Sequence, residues 1–128
     1  MKLNIAIGVL LLATIAGSGG FVTGLSAQGK SQFAYFVAES VVTNPDEDTK
    51  IIRQLPATAE ALGGYYIVRG GKIAAYEGEP PKRIVIVAFD SLEKIRAWRE
   101  LPKVKELEAA RKQVGTTLRT YAVEGVVQ

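Results

Sequence analysis

The side chains best suited to chemistry gather in two stretches, GGYYIVRGGK at 63–72 and YEGEPPKR at 76–83. Within them Tyr66, Arg69, Glu77 and Arg83 offer a phenol, two guanidiniums and a carboxylate. Such a set holds a small anionic or polar ligand through charge-assisted hydrogen bonds. The same residues also read as a plain hairpin. Gly70 and Gly71 supply turn geometry, and Arg69 and Arg83 pair with Glu77 and Glu79 across it as ordinary surface ion pairs. RGGK is not a phosphate loop, because Tyr66 stands where the first glycine is required and Ile73 follows the lysine. Glu39 lies in an apolar run, and a carboxylate among apolar neighbours suits proton transfer. Its other reading is a residue at a strand edge or beside a base. Glu39 and Glu77 are thus the catalytic candidates, and Tyr66, Arg69 and Arg83 the ligand-binding ones.

Two absences narrow the chemistry. The 128 residues contain no cysteine and no histidine. That removes disulfides, thiolate nucleophiles, iron–sulfur ligation and a lipid-modified cysteine, and with them every Ser-His or Cys-His triad. The commonest metal ligand and the usual haem ligand are missing too, so neither a metal site nor a cofactor is expected. Charge adds little: 16 basic and 13 acidic side chains leave a net +3, and the signs alternate along the chain. A nucleic-acid surface would concentrate its basic residues on one face or arm. Arg111 reads as lying on the polar side of a late helix, and Trp98 as core packing.

The elements that must position these residues follow from periodicity and punctuation. Residues 33–42, FAYFVAESVV, read as a strand. Asn44, Pro45 and Glu47 open a helix as cap, first residue and capping-box partner. Ile51, Ile52, Leu55, Ala59 and Leu62 keep it on one face to 62, with a kink expected at Pro56. Gly63 and Gly64 end it. A strand over 65–69, an extended piece over 73–76, a loop over 77–82 and a strand over 83–89 come next. Asp90 or Ser91 caps a second helix that turns Leu92, Ile95 and Trp98 inward. Pro102 restarts it, with Val104, Leu107, Ala110 and Val114 inward. Gly115 closes that stretch before a last strand over 118–124. The order βαββαβ is α+β and ferredoxin-like: a four-stranded antiparallel sheet with helices on one face.

Its other face is apolar as well. Ile84, Ile86 and Ala88 alternate with Val85, Val87 and Phe89, and Phe33, Tyr35 and Val37 with Ala34, Phe36 and Ala38, so neither face reads as polar. An apolar sheet face of that size calls for cover, and a second copy packed face to face is the simplest one. A homodimer through the sheet faces is therefore expected.

The N-terminus has a separate reading. Lys2 precedes an uncharged stretch, strongest over 3–16 (LNIAIGVLLLATIA), which ends in the small residues of GLSAQ at 24–28. A basic start, an apolar middle and a small-residue end describe a secretory signal over 1–27, then a linker over 28–32 and the domain over 33–128. Leu25 is larger than the usual residue at its place, which leaves a retained inner-membrane anchor over 3–25 as the alternative. Either way the domain is expected outside the cytoplasm, most simply in the periplasm, with a membrane contact only if the segment is retained.

The segments YFVAE (35–39), NPDED (44–48), GGYYIVRGG (63–71), EGEPPKRIVIVAFDSLEKIRAW (77–98) and YAVEG (121–125) resemble domain-of-unknown-function family 1330, of the dimeric α+β barrel superfamily. The resemblance spans 35–126 and implies a ferredoxin-like fold and a sheet-mediated dimer. It implies no particular reaction; the superfamily includes cofactor-free oxygenases, isomerases and haem-dependent enzymes, and fold analogy is a weak warrant among them. Two functions fit these features. One is a small-molecule site, binding or cofactor-independent catalysis, in a cleft between sheet and helices. The other is a non-catalytic homodimeric envelope or interaction protein.

Overall fold

The computed structural model describes residues 32–127. The segment read as signal or anchor, and all but the last residue of the linker, lie outside the described residues. Among the described residues no helix is long and apolar enough to cross a membrane. The elements run β1 (Ala34–Val42), α1 (Pro45–Ile52), α2 (Leu55–Glu60), β2 (Tyr65–Arg69), β3 (Arg83–Phe89), α3 (Leu92–Glu100), α4 (Pro102–Arg111) and β4 (Gly115–Glu124). The strands pair antiparallel in one sheet ordered β2-β3-β1-β4. This is the expected ferredoxin-like α+β plan, with each helical connection split in two.

The split has different causes in the two connections. Between α3 and α4 the chain leaves the helical region at Leu101, just before Pro102, as expected of a residue preceding proline. In the first connection a single kinked helix was expected, and the structure corrects this. The helix stops at Ile52, and Pro56 stands in the first turn of a separate helix. A proline nitrogen has no hydrogen to give the carbonyl four residues back, and its ring crowds that carbonyl. Caps fix the other starts. Asn44 Oδ1 accepts from the Glu47 amide at 3.2 Å, and Ser91 Oγ from the Lys94 amide at 3.2 Å. The capping box is only half made, since the Glu47 carboxylate turns to Lys50 at 2.7 Å.

Residues 70–82 are one long connection that pairs with no strand among the described residues, with positive φ at Gly70, Gly71 and Gly78. One more expectation is corrected. Gly115 does not close a helix. It opens β4 opposite Val42, three residues earlier than expected, where any Cβ would stand 2.5 Å from the Val41 carbonyl oxygen. Thr116 and Thr117 are β-branched and suit the ladder that absorbs them.

Ala34, Phe36, Ala38, Val85, Val87 and Phe89 face the helices and meet Leu55, Ile95, Trp98, Val104 and Leu107 in one core. Trp98 is its hub, with its ring centroid 5.2 Å from Phe36 and 5.4 Å from Phe89. Gly64 lets β2 enter this layer, because a Cβ there would stand 2.6 Å from Cζ of the fully buried Phe89 ring. The opposite sheet face carries Tyr35, Val37, Ile84, Ile86, Tyr65, Tyr121 and Val123. Tyr65, Tyr121 and Val123 there are about half exposed, at 50%, 49% and 50%.

Two bulges decide which side chains reach the helix side. Alternation alone sends residues three apart to opposite faces. In β2 the register slips between Tyr66 and Val68, so that Tyr66 lies opposite Val87 and Arg69 opposite Val85, both inward. In β4 it slips opposite Glu39 and Ser40, so that Thr120 faces Ala38 and Thr117 faces Ser40, again both inward. Each bulge adds one residue and thereby turns a second polar side chain toward the helices.

Candidate functional site

Those inward-turned residues line a cavity of about 200 Å³ between sheet and helices. Its floor is apolar: Phe36, Val85 and Val87 from the sheet, with Leu55 and Trp98 from the helices. Its walls carry five cationic side chains, Arg69, Arg83, Arg99, Arg111 and Lys112, against one carboxylate, Glu108.

The innermost cations are organised by a residue just behind the wall. Asp48 is 3% exposed; Arg83 Nη1 donates to its Oδ2 at 2.5 Å, and Arg111 Nε to its Oδ1 at 3.3 Å. One carboxylate thus fixes two guanidiniums from different elements. In the sequence Asp48 stands out only as part of an acidic helix start, yet it lies three, four and seven residues before Ile51, Ile52 and Leu55, on the apolar stripe. Arg111 is likewise corrected from the polar side of its helix to the interior. It follows Val104 and Leu107 at helical spacing, and Asp48 supplies the counter-charge that its partial burial demands.

Arg99 lies with its Cζ 5.1 Å from the Phe36 ring centroid. Its Nη2 donates to Glu108 Oε2 at 3.3 Å, and its Nη1 stands 3.1 Å from Oε1 at an angle too poor for a hydrogen bond. Arg69 places its Cζ 4.8 Å from the centroid of the Tyr66 ring, in cation–π range. Burial pushes the Tyr66 phenol up to about 12, against the pull of the Arg69 and Arg111 charges. At neutral pH this phenol is therefore a hydrogen-bond donor. Ser40, in register between Arg83 and Thr117, is 3% exposed, and its hydroxyl has no partner among the described residues.

The ligand-binding candidates from the sequence, Tyr66, Arg69 and Arg83, all stand on this cavity. The pairing expected for Arg83 with Glu77 or Glu79 does not form; Arg83 takes Asp48, and Glu79 takes Lys82 at 3.7 Å. Glu77 sits exposed in the long connection, away from the cavity lining. Glu39 belongs to the opposite face of the sheet, where Arg119 grips both its oxygens, one at 3.0 Å through Nη2. Asp48, Arg99, Glu108, Arg111 and Lys112 were missed. Helical spacing could have flagged Asp48 and Arg111, but nothing in the pattern marks the others.

Chemically, the site can hold an anion with an apolar body. Its carboxylates are already engaged, Glu108 by Arg99 and Asp48 by Arg83 and Arg111. Among the described residues no cluster of His, Cys, Asp or Glu could hold a metal ion.

Fold and cavity together define a ferredoxin-like α+β domain with a cation-lined interior. Solved structures share the fold. A methylated protein from Rhodopseudomonas palustris matches at 14% identity over 81% of this chain and 88% of its own, with a TM-score of 0.55. A dimeric ferredoxin-like protein of unknown function from Thermobifida fusca matches at 18% identity over 78% of this chain and 93% of its own, with a TM-score of 0.50. No curated protein matches the chain. The domain of unknown function DUF1330 matches residues 33–126, and the chain belongs to that family.

Proposed function

We propose that this domain binds a small anionic molecule with an apolar body in the cavity between sheet and helices. The observation that carries the reading is the lining itself: five cations and one carboxylate around an aromatic and aliphatic floor. Arg83 and Arg111 share the one carboxylate of Asp48 largely out of water, and a protein interior does not keep such an excess charge without a use for it. Binding is favoured over acid–base catalysis, since both carboxylates near the cavity are already engaged by arginines. A mere interaction module would gain more from a filled interior. The volume lies below the roughly 300–1,000 Å³ of drug-sized pockets, which suits a molecule of one ring or a short chain. Benzoate is expected to raise the melting temperature in a concentration-dependent way, while benzamide, its neutral analogue, leaves it unchanged. Arg83→Ala should abolish the benzoate effect. Equal stabilisation by acid and amide, or none by either, refutes the reading.

The domain also works as a homodimer in this proposal, through the apolar sheet face. Tyr35, Val37, Ile84, Ile86, Tyr121 and Val123 share that face, opposite the one that packs on the helices of the described residues, and the Thermobifida fusca protein of like fold is described as dimeric. Sedimentation at micromolar concentration is expected to give a dimer, and Ile86→Glu a monomer. A wild-type monomer would end the idea. The setting we propose is the periplasm, on the strength of Lys2, the apolar run after it and the small residues at 24–28. N-terminal sequencing of exported protein should then begin at Gln28, whereas a chain that still begins at Met1 or Lys2 in the membrane fraction would mark a retained anchor.

A further inference from the structure

The charges around the cavity do not balance, and where the imbalance falls narrows the ligand further. This step rests on the cavity being a ligand site. Arg99 and Glu108 neutralise one another. Arg83 and Arg111 share the single charge of Asp48, which leaves one net positive charge at the inner end. Their side chains are 18% and 15% exposed, so that charge lies largely out of water. Beside Arg83 in the sheet, the buried Ser40 hydroxyl is left without a partner. Arg69 and Lys112 differ from these. Both are exposed and line the same cavity, and among the described residues neither has a carboxylate within ion-pairing distance. Tyr66, under Arg69, adds a neutral donor.

We infer that the cavity is a receptor for a compact dianion, one anionic group meeting Arg83 and Arg111 and the other meeting Arg69 and Lys112, with the apolar body between them on Phe36 and Trp98. A monoanion satisfies only the inner pair. A second anionic group gains from two cations that are otherwise uncompensated. Since those two are exposed, the gain is modest and falls with salt. Bidentate geometry favours carboxylates as the anionic groups, because arginine forks match them.

The experiment is calorimetric titration of the full chain with benzoate and with each of the three benzenedicarboxylates, at low and high salt. The best dicarboxylate is expected to bind about tenfold more tightly than benzoate at low salt, with the ratio shrinking toward one as salt screens the outer pair. The Arg69→Gln/Lys112→Gln double variant should bring the low-salt ratio close to one, whatever happens to absolute affinity. Circular dichroism and the melting temperature establish that this variant is folded, and the single variants should each lower the ratio part of the way. Benzoate binding with a wild-type ratio near one would overturn the dianion reading and leave the proposed function standing. A raised ratio that survives both substitutions would overturn the assignment of the outer pair. Failure of every probe, benzoate included, would overturn the proposed function and this inference together.

Discussion

Asp48→Ala is expected to lower the unfolding free energy by about 3–5 kcal/mol, the usual cost of removing one member of a buried ion pair. Asp48 is 3% exposed and is the counter-charge for both Arg83 and Arg111. Without it two guanidiniums from β3 and α4 face each other with little water between them. The cost is therefore that of two cations left unpaired, and not of two hydrogen bonds alone. Asp48→Asn separates these contributions. It keeps the shape and one acceptor oxygen, so its deficit should be smaller, and what remains reports the charge. Urea titrations with an unchanged slope would show that stability has moved and the denatured ensemble has not. The same variants bear on the site. With Asp48 neutralised the inner cations are open to an external anion, so benzoate should stabilise Asp48→Asn by a larger increment than wild type. A variant within about 0.5 kcal/mol of wild type, the range of ordinary surface changes, would mean that Asp48 holds nothing together.

The fold was legible because its signals are local and redundant. Asn44 with Pro45, Ser91 and Pro102 punctuate helices whose apolar stripes keep period, and the six apolar residues from Ile84 to Phe89 read as a strand buried on both faces. The site was legible only in part. Tyr66, Arg69 and Arg83 were picked by chemical type, but alternation would have sent Tyr66 and Arg69 to opposite faces. The bulge that unites them depends on pairing with β3, which no local pattern encodes. Thr117 and Thr120 in β4 were hidden by the same effect. Arg111 was misplaced because a charge was assumed to seek solvent; its partner Asp48 lies 63 residues earlier in the chain, and only the packing of α1 against α4 joins them. Glu39 drew notice for its apolar neighbours. A cross-strand partner 80 residues away, Arg119, accounts for it on the far face of the sheet.

Trp98 links core and site, and its removal is the second change expected to have a large effect. The side chain is 2% exposed and packs edge-on to Phe36 and obliquely to Phe89; its Nε1 donates to Thr58 Oγ1 at 2.9 Å. Trp98→Ala should cost about 3–5 kcal/mol, from lost burial and from space the surroundings fill only partly. Thr58 loses little, since its hydroxyl still donates to the Leu55 carbonyl at 2.6 Å. Trp98→Phe should therefore cost less, roughly 1–2 kcal/mol for the smaller ring and the missing donor. The consequence for binding runs the other way. The indole forms part of the cavity wall, so shortening it extends an apolar hollow that already exists and leaves the cations in place. Trp98→Phe, the variant that stays folded, should bind benzoate more weakly than wild type does, because the probe loses contact with the floor. It should accept 2-naphthoate relatively better, because the second ring enters the vacated space. A naphthoate-to-benzoate affinity ratio that rises in Trp98→Phe would place the ligand body against this side chain. An unchanged ratio, with stability reduced as described, would confine Trp98 to the core.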